Sequence, residues 1–581
     1  MVRHVFLLLA CQLAAQDGAS LYKQHCANCH DAGVDRVPPL AALKAMPAMA
    51  IRGSLESGKM RQQGAGLSAV DRDRVAAFLG TAAKSEDPIA YCKDAPVWKS
   101  QSNWNGWSPG FTNNRLQPNP GWDAAQIPRL QLKWAFALGQ GAIARGQPSV
   151  VDGKLFIGAQ SGAVYAIHPA TGCVHWTFQA AAQIRSGVVA GDGRVYFGDG
   201  KANVYAVDSA SGKKAWTAKA DEHPQALITG TVQLHKDVLY VPVASFEEGI
   251  GGQPKYPCCT FRGSLLALDA RTGKTLWKAY TIADPPQPTA KNSVGTQLYG
   301  PSGAAVWSTP TIDESTGRIY IATGDNYSDP PTATSDSVIA LNLKSGRVVW
   351  VKQLTANDVF TMGSNAKGPD HDLGQSPILV NLPNGKRALV IGQKSGVAHA
   401  LDPDAAGKIL WQTRVGDGGM LGGIQWGSAA DASSMYVAVS DIGTARIAGR
   451  SSLDPKKGGG LFALQLTTGE KFWTAPPARC PENRVGCSPG HSAAVTVTPG
   501  AVFAGSLDGH IRAFATSNGQ VIWDFDTARE FTATNGTTAN GGSIDGPGPV
   551  IANGMLFTNS GYGVWGGIPG NVLLAFSIDG K

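Results

Sequence analysis

The sequence lacks any apolar run long enough to cross a membrane and any dense cluster of basic residues. A membrane helix needs about 20 consecutive apolar residues, and no run beyond the N-terminus approaches that length. The net charge is only +7 over 581 residues, and no group of Lys and Arg exceeds a few positions. These absences predict a protein with no transmembrane segment and no nucleic-acid partner.

Cysteine is also scarce, with nine residues in the chain. Cys480 and Cys487 flank the loop PENRVG, which predicts a bridge between them. Cys92 and Cys173 are left over, and the sequence alone does not fix their pairing.

The N-terminus MVRHVFLLLACQLAAQDGAS has a basic residue, a short apolar run over residues 5–10, and then small residues. This order resembles an export signal, and it predicts a signal over residues 1–17 and a periplasmic protein. The letters LLAC also resemble a lipoprotein cleavage site, so a lipid anchor on Cys11 is the alternative. Export permits disulfide bonds.

Residues 26–30 read CANCH, and C-x-x-C-H is the attachment pattern of c-type haem. The pattern predicts that Cys26 and Cys29 bond the porphyrin and that His30 binds the iron. A redox pair of cysteines is the alternative reading.

The second axial ligand is expected downstream, where SGKMRQQGAGLSAVDRDRVAAFLG supplies Met60 ahead of a helix. This segment resembles small class I cytochromes c, while Met46 and Met49 are competing candidates. His/Met ligation suits electron transfer. We therefore predict an all-α cytochrome c domain over residues 18–83 and a linker over residues 84–97.

Glycine and proline are abundant, at 72 and 35 residues, and with recurring strand patterns they indicate turn-rich β-structure. One pattern recurs: an alanine and an apolar residue, a polar turn that ends in Gly, and a Trp four residues after that Gly. Each copy has the residue pattern of a β-hairpin, with a polar turn between two strands. The spacing between successive copies leaves room for a four-stranded propeller blade. The copies end at Trp176, Trp216, Trp277, Trp350, Trp411, Trp473 and Trp523.

The last copy, LLAFSIDGK, stops before its Trp, whereas LQLKWAFAL carries Trp134 ahead of the first full copy. We expect the N-terminal strand to complete the last blade and close the ring. The fold prediction is therefore mainly β, an eight-bladed β-propeller over residues 98–581. An open solenoid or two separate sandwiches would not explain the split copy.

The repeat Ala-x-Asp-x-x-Thr-Gly-x-x-x-Trp resembles the docking motif of pyrroloquinoline quinone (PQQ) dehydrogenases. With the cytochrome, this resemblance covers nearly the whole chain. The repeat alone is weak evidence for catalysis, because non-catalytic propellers such as outer-membrane assembly lipoproteins share it. The resemblance implies PQQ, haem c and a hard cation, Ca²⁺ or a lanthanide, as cofactors.

Two segments resemble the metal-binding loops of the quinoprotein family. Glu247 and Glu248 in VASFEEGIGG stand near the place of the family's metal-binding Glu, and the choice between them stays open. The stretch IYIATGDNYSD resembles the family's Thr-Gly-Asn turn, which implies Asn326 as a ligand and Asp325 as the alternative. Such oxygen ligands suit hard cations.

The stretch KGPDHDLGQSP resembles the family segment whose first Asp takes the alcohol proton. The resemblance implies Asp370 as the base and Asp372 as a supporting or metal-binding group, with the register between them open. Lys394 in VIGQKSGVAHALD matches the cation that faces the quinone oxygens. A lysine there stabilises negative charge that develops on the quinone.

Three further positions resemble PQQ contacts. Trp307 in AAVWSTPTID matches the indole that stacks beneath PQQ. Arg185 in QIRSGVV and Thr229 in LITGTV resemble the arginine and threonine that contact the PQQ carboxylates.

The stretch YPCCTFRG places Cys258 and Cys259 side by side. Two readings fit the pair alone: two reduced, buried thiols, or a disulfide that closes a small ring. Quinoprotein alcohol dehydrogenases carry an adjacent-cysteine disulfide over PQQ, and this resemblance implies that role here. The placement, in the blade of Glu247 and Glu248, resembles cytochrome-linked polyvinyl alcohol dehydrogenases.

The resemblance implies an exported quinohaemoprotein that oxidises secondary alcohol groups of poly(vinyl alcohol) or a similar alcohol. Electrons would pass from PQQ through the haem to an external acceptor, a cytochrome c or another carrier. The alternatives are a PQQ dehydrogenase for other small alcohols and a non-catalytic propeller fused to a cytochrome.

Overall fold

The computed structural model describes residues 17–32, 38–44, 46, 48–56, 60–80, 89–93, 98, 102–139, 143–363, 367–447, 450–481 and 483–581. The chain divides into two compact units, Met1–Glu86 and Asp87–Lys581. Most of the predicted export signal, including Cys11, and much of the predicted linker lie outside the described residues. No helix in the described ranges is long and apolar enough to cross a membrane.

The first unit is helical. Its core is a cluster of apolar side chains from several helices, among them Leu21, Ile51, Leu55 and Val75. Ser68 caps the last helix by accepting from the Asp71 N–H, which is the usual role of a serine at a helix N-terminus. The helices are Gly18–His25, Ala27–His30, Leu40–Lys44, Ala48–Glu56, Arg61–Ala65 and Ala69–Leu79.

The second unit is an eight-bladed β-propeller, which confirms the predicted fold. Seven sheets have four strands, and the sheet of blade 3 has a fifth short strand. The first four blades comprise Ser149–Val151, Lys154–Gly158, Ala163–Ile167 and Val174–Gln179; Val189–Gly191, Arg194–Gly198, Asn203–Asp208 and Lys214–Lys219; Gln233–His235, Val238–Ser245, Ser264–Asp269 and Thr275–Tyr280 with Ala226–Leu227; and Thr311–Asp313, Arg318–Ala322, Ser337–Asn342 and Val348–Gln353.

The remaining blades continue the same antiparallel order. They comprise Ile378–Asn381, Arg387–Gly392, Val397–Asp402 and Lys408–Arg414; Ala429–Ala430, Ser434–Ala438, Leu461–Gln465 and Lys471–Ala475; Thr496–Thr498, Ala501–Gly505, His510–Ala515 and Val521–Asp526; and Val550–Ala552, Met555–Ser560, Val572–Ile578 and Leu130–Ala137.

Short elements decorate the loops between these strands. Four two-stranded pairs are Gln287–Lys291 with Gln297–Gly300, Ser302–Gly303 with Asn326–Ser328, Thr444–Ile447 with Arg450–Leu453, and Glu530–Thr532 with Thr538–Asn540. The helices are Glu247–Gly251 and the 3-10 turns Ala124–Arg129 and Val564–Gly566.

The repeated Trp and Gly join neighbouring blades. Gly212 has a φ of +70°, and a Cβ there would lie 2.6 Å from the ring of Trp176 in the preceding blade. The indole N–H of Trp176 donates to the Ser209 carbonyl of the same turn, at 3.0 Å. Glycine is required because the turn needs a positive φ and because the indole occupies the space of a side chain.

The last blade combines both ends of the propeller sequence, as predicted. Leu130–Ala137 pairs antiparallel with Val572–Ile578, and Trp134 lies opposite Ala575. The indole of Trp134 then donates to the Pro169 carbonyl of blade 1 at 2.8 Å. This pairing closes the ring, in which each blade keeps only short, protected edges.

Three disulfides are present among the residues that the structure describes. Cys92 is bonded to Cys173, which answers the pairing that the sequence left open. The predicted bridge between Cys480 and Cys487 is present, and Cys258 is bonded to Cys259.

Candidate active site

The predicted site residues of the propeller come from loops at one end of the ring. Two kinds of loop leave a blade at that end: the loop between the second and third strands, and the connection from the outermost strand to the next blade. Glu248 and Asp325 lie in loops of the first kind, in blades 3 and 4, and Asp370 lies in the connection from blade 4 to blade 5. This topology gathers residues that are far apart in sequence.

Lys394 holds the two candidate bases together. Its Nζ donates to Asp370 Oδ1 at 2.6 Å and to Asp372 Oδ2 at 2.7 Å, and all three side chains are buried. Burial alone would lower the pKa of Lys394, but the nearby charges of Asp372 and Asp370 raise it well above its usual value. The lysine therefore stays charged and pairs with both carboxylates.

Three carboxylates form a cluster beside this lysine. One oxygen from each of Glu248, Asp325 and Asp370 lies within 4.8 Å of the others. Asp325 is 1% exposed, yet neither of its carboxylate oxygens has a hydrogen-bond partner in the part of the chain that the structure describes. Asp370 Oδ2 also lacks a partner among the described residues.

The electrostatics of this cluster fit a hard cation. Burial, and then the charge of Asp372, raise the pKa of Asp325 well above its usual value. Burial raises the pKa of Glu248 to about 7. Buried carboxylates without partners are unfavourable, and a calcium or lanthanide ion prefers oxygen ligands of this kind. The residues present therefore fit the cation that the resemblance implies.

Asn326 and Glu247 have hydrogen-bond partners elsewhere. The Asn326 side chain donates to the Ser302 carbonyl at 3.0 Å and accepts from the Thr332 N–H at 2.7 Å. Asp325, the alternative ligand, lies inside the cluster instead. The sequence carried a cue for it, because Asp325 directly follows Thr and Gly as the ligand does in the family turn.

Glu247 supports the turn that carries the cysteine pair. Its carboxylate accepts from the Tyr256 hydroxyl at 2.9 Å, the Thr260 N–H at 2.9 Å and the Phe261 N–H at 2.8 Å. Glu248 is the neighbour that points into the carboxylate cluster.

Cys258 and Cys259 are bonded and buried. The strand of Tyr299 flanks them: the Cys259 N–H donates to the Tyr299 carbonyl at 3.1 Å, and the Tyr299 N–H donates to the Cys258 carbonyl at 2.7 Å. Trp307 packs against the same apolar cluster that contains both cysteines. The disulfide and the predicted stacking indole thus share one apolar cluster.

Asp358 is a site residue that the sequence reasoning missed. Its carboxylate accepts from the Asp370 N–H at 3.2 Å and from the His371 N–H at 2.7 Å. Asp370 has a φ of +59°, a backbone conformation that few residues other than glycine adopt. Asp358 therefore fixes the loop in the shape that presents Asp370.

A pocket opens among the loops at this end of the ring. Arg185, Thr229 and Trp307, three predicted PQQ contacts, all line it. Arg145, Trp426 and Tyr562 also line it, although no sequence motif marked them.

The pocket has an excess of positive charge. Burial and the neighbouring Arg185 lower the pKa of Arg145 to about 10. The Arg185 guanidinium lies 4.7 Å from the ring centre of Trp426. Among the described residues, Arg145 Nε is buried without a hydrogen-bond partner, as is Oε1 of Gln147 in the same lining. Two arginines, one of them with an unpartnered N–H, fit a flat ligand with several carboxylates, which PQQ is.

The helical unit fits covalent haem. Cys26 and Cys29 are the free cysteines in the described part of the chain. His30 is buried, and its Nδ1 donates to the Pro38 carbonyl at 2.6 Å, which leaves Nε2 for the iron. Met60 packs against the helical core, but so does Met46, so the choice of the second axial ligand stays a prediction.

Two relatives span nearly the whole chain. A polyvinylalcohol dehydrogenase from Pseudomonas sp. is 40% identical over 621 residues, covering 98% of this chain and 95% of the relative. A second, from Sphingopyxis sp. strain 113P3, is 39% identical over 97% of this chain and 93% of its own length. The chain belongs to the polyvinyl alcohol dehydrogenase family. It is thus an oxidoreductase with PQQ and haem c as cofactors.

Three family models match parts of the chain, and a solved structure shares its fold. Residues 250–415 match the model for the glucose/ethanol/alcohol dehydrogenase β-propeller domain, residues 94–327 that for outer membrane protein assembly factor BamB, and residues 13–79 that for cbb3-type cytochrome c oxidase subunit III. The quinohemoprotein alcohol dehydrogenase ADHIIG of Pseudomonas putida superposes with a TM-score of 0.65 at 19% identity, over 86% of this chain and 83% of that chain. The superposition shows a shared fold.

Proposed function

We propose that this member of the polyvinyl alcohol dehydrogenase family oxidises secondary hydroxyl groups of poly(vinyl alcohol) or of similar alcohols. The observation that carries the proposal is the buried arrangement in which Lys394 joins Asp370 and Asp372 beside an unpaired carboxylate cluster. The names of the two long relatives support the polymer as substrate.

The chain offers a distinct set of residues to each cofactor. Arg145, Arg185 and Thr229 would hold the carboxylates of PQQ, and Trp307 and the Cys258–Cys259 disulfide would enclose its ring. Glu248 and Asp325 would hold the calcium or lanthanide ion, beside the carboxylate of Asp370. When bound, PQQ would supply the acceptor for hydride from the alcohol, and the cation would supply a Lewis acid.

Asp370 is the residue that we assign as the base. Asp372 uses one oxygen for Lys394 and the other for the Asp325 N–H, so neither is left for a substrate. Asp370 has Oδ2 without a partner among the described residues and can take the hydroxyl proton there. Lys394 keeps Asp370 oriented and adds positive charge where negative charge develops.

The cytochrome unit would carry electrons out of the enzyme. We assign Cys26 and Cys29 to the covalent attachment of haem and His30 with Met60 to the iron. Haem ligated in this way supplies one-electron transfer. An external acceptor, such as another cytochrome c, and a periplasmic location complete the proposal; the export signal and a lipid on Cys11 stay predictions.

The direct test is dye reduction by protein loaded with PQQ and either Ca²⁺ or La³⁺. We expect activity on poly(vinyl alcohol) and on short secondary alcohols, with loss of at least 1,000-fold in Asp370→Asn, a loss of the size that removal of a catalytic base and its charge entails. Asp284→Asn, which changes an exposed carboxylate, is the control and should keep full activity. Full activity without PQQ, or in Asp370→Asn, would contradict the proposal.

A further inference from the structure

One segment of the propeller unit touches the innermost strand of every blade. We call residues 104–117 the axial segment. This segment forms hydrogen bonds, through its backbone or its side chains, with one residue of each blade. From blade 1 to blade 8 these residues are Val150, Ala190, Gln233, Ile312, Leu379, Ala430, Val497 and Ile551. Because the innermost strands line the central channel, the axial segment lies in that channel.

Arg115 forms hydrogen bonds both within the axial segment and from that segment to the propeller. It is fully buried and donates from Nε to the Val495 carbonyl at 2.7 Å and from Nη1 to the Trp107 carbonyl at 2.5 Å. Nη2 donates to Thr496 Oγ1 at 3.1 Å. No carboxylate in the described ranges forms an ion pair with Arg115, so its positive charge is shared only with carbonyls, a hydroxyl and rings.

The Arg115 guanidinium contacts the indoles of Trp104 and Trp107, which lie in different surroundings. Its central carbon is 4.7 Å from the ring centre of Trp107 and 5.2 Å from that of Trp104. Trp107 lines the cofactor pocket, whereas Trp104 is fully buried in the apolar core between blades 8 and 1. Arg115 therefore connects one indole of the core to one indole of the pocket.

Trp107 continues an aromatic wall of the pocket. A Cβ on Gly427 would lie 3.0 Å from Cζ2 of Trp107, so the indole packs closely on this glycine. The adjacent Trp426 meets Trp307 edge to face at 5.5 Å between ring centres. The aromatic wall thus extends from Trp107 in the axial segment to Trp307, the indole that we expect to stack on the PQQ ring.

We propose that the axial segment contributes Trp107 to the wall of the PQQ pocket, that Trp107 contacts the cofactor, and that Arg115 is a positioning residue for Trp107. The inference rests on the proposed function, because it takes PQQ to be the occupant of the pocket. A flat ring gains from contact with a fixed indole, and a fixed wall lowers the entropy lost on binding. The unpaired charge of Arg115 also favours an anionic ligand.

The test measures PQQ affinity by equilibrium dialysis in Ca²⁺ and the melting temperature of the PQQ-free, full-length protein. Trp107→Leu should raise the Kd for PQQ at least tenfold. Trp104→Leu is the matched control: it should lower the melting temperature more than Trp107→Leu does and change the Kd less than twofold. Arg115→Lys should keep more PQQ affinity than Arg115→Met, because it keeps the charge while losing the fork of hydrogen bonds.

The outcomes separate this inference from the proposed function. Wild-type protein that binds no PQQ overturns the proposed function, and the inference falls with it. Wild-type binding together with an unchanged Kd in Trp107→Leu overturns the inference alone, as does an equal Kd change in Trp104→Leu. If Trp107→Leu does not fold, Trp107→Phe takes its place with an expected rise of about threefold, and an unchanged Kd again overturns the inference.

Discussion

The backbone N–H of Asp325 donates to Oδ1 of Asp372 at 2.7 Å. This bond ties the loop of blade 4 to the connection that enters blade 5, and it sets the Asp325 side chain beside the other carboxylates. Asp372 bonds through its second oxygen to Lys394. One residue thus positions both a cation ligand and the lysine beside the base.

Asp325→Ala should weaken cation binding at least tenfold, because it removes a ligand of the cluster. Asn326→Ala should leave cation affinity nearly unchanged and lower the free energy of unfolding by about 1–3 kcal/mol, since it breaks the buried hydrogen bonds to Ser302 and Thr332. Calorimetric titration of the apoprotein with Ca²⁺ and La³⁺ separates the two effects. A larger loss of affinity in Asn326→Ala would reverse our assignment.

The neighbouring glutamates should also behave differently. Glu248→Gln should weaken cation binding, because it removes one charge from the cluster. Glu247→Gln should destabilise the cation-free protein, since an amide cannot accept all the hydrogen bonds that Glu247 takes from Thr260 and Phe261. Titration with Ca²⁺ and thermal unfolding in chelator test both. Equal cation affinities in the two variants would contradict the division of roles.

Lys394→Met should destabilise the protein in chelator by about 3–5 kcal/mol, because it leaves Asp370 and Asp372 buried and unpaired. The same change removes a positive charge next to the cation site, so Ca²⁺ should bind more tightly and restore part of the lost stability. Denaturant unfolding with and without Ca²⁺ measures this gain. A stability loss that is the same with and without Ca²⁺ would show that the lysine and the cation site are not coupled.

The propeller could be predicted because its repeat has a local physical cause. Each copy needs a glycine with positive φ, and each glycine packs against the Trp of the blade before it, as Gly212 does against Trp176. The contact fixes two residue types at a constant spacing. The same logic located the split blade, since the last copy stops before its Trp and Trp134 lies in a strand ahead of the first full copy.

The site was less predictable because it depends on contacts between distant loops. Asp325 and Asn326 both offer oxygen, and only the bonds of Asn326 to Ser302 and Thr332 show which side chain is committed elsewhere. Arg145 and Tyr562 are brought together by ring closure. They lie in connections that carry no repeat, so no pattern marked them.

Stability should depend on pH through Asp545. This buried carboxylate accepts from the Gly546 N–H at 2.7 Å, and burial raises its pKa to about 6 from 3.8. A raised pKa stabilises the folded state fully below about pH 4, and this contribution is lost as the pH rises through 6. Asp545→Asn should therefore resemble the wild type at pH 4 and exceed it by about 3 kcal/mol at pH 8. Denaturant unfolding of PQQ-free protein across this range measures the difference, and a difference that does not change with pH would contradict the assignment.

The last prediction concerns the haem iron. Met60 and Met46 both pack against the helical core that also includes Cys26, so their replacement by Ala should lower stability by similar amounts, and stability cannot identify the ligand. The absorption spectrum can, because sulfur bound to ferric haem gives a charge-transfer band of its own. Met60→Ala should lose that band, keep covalent haem and have a lower reduction potential, since Met ligation raises the potential. Met46→Ala should keep both the band and the potential. The opposite pattern would assign Met46 to the iron, while His30 would keep its place, because its Nδ1 is already bonded to Pro38.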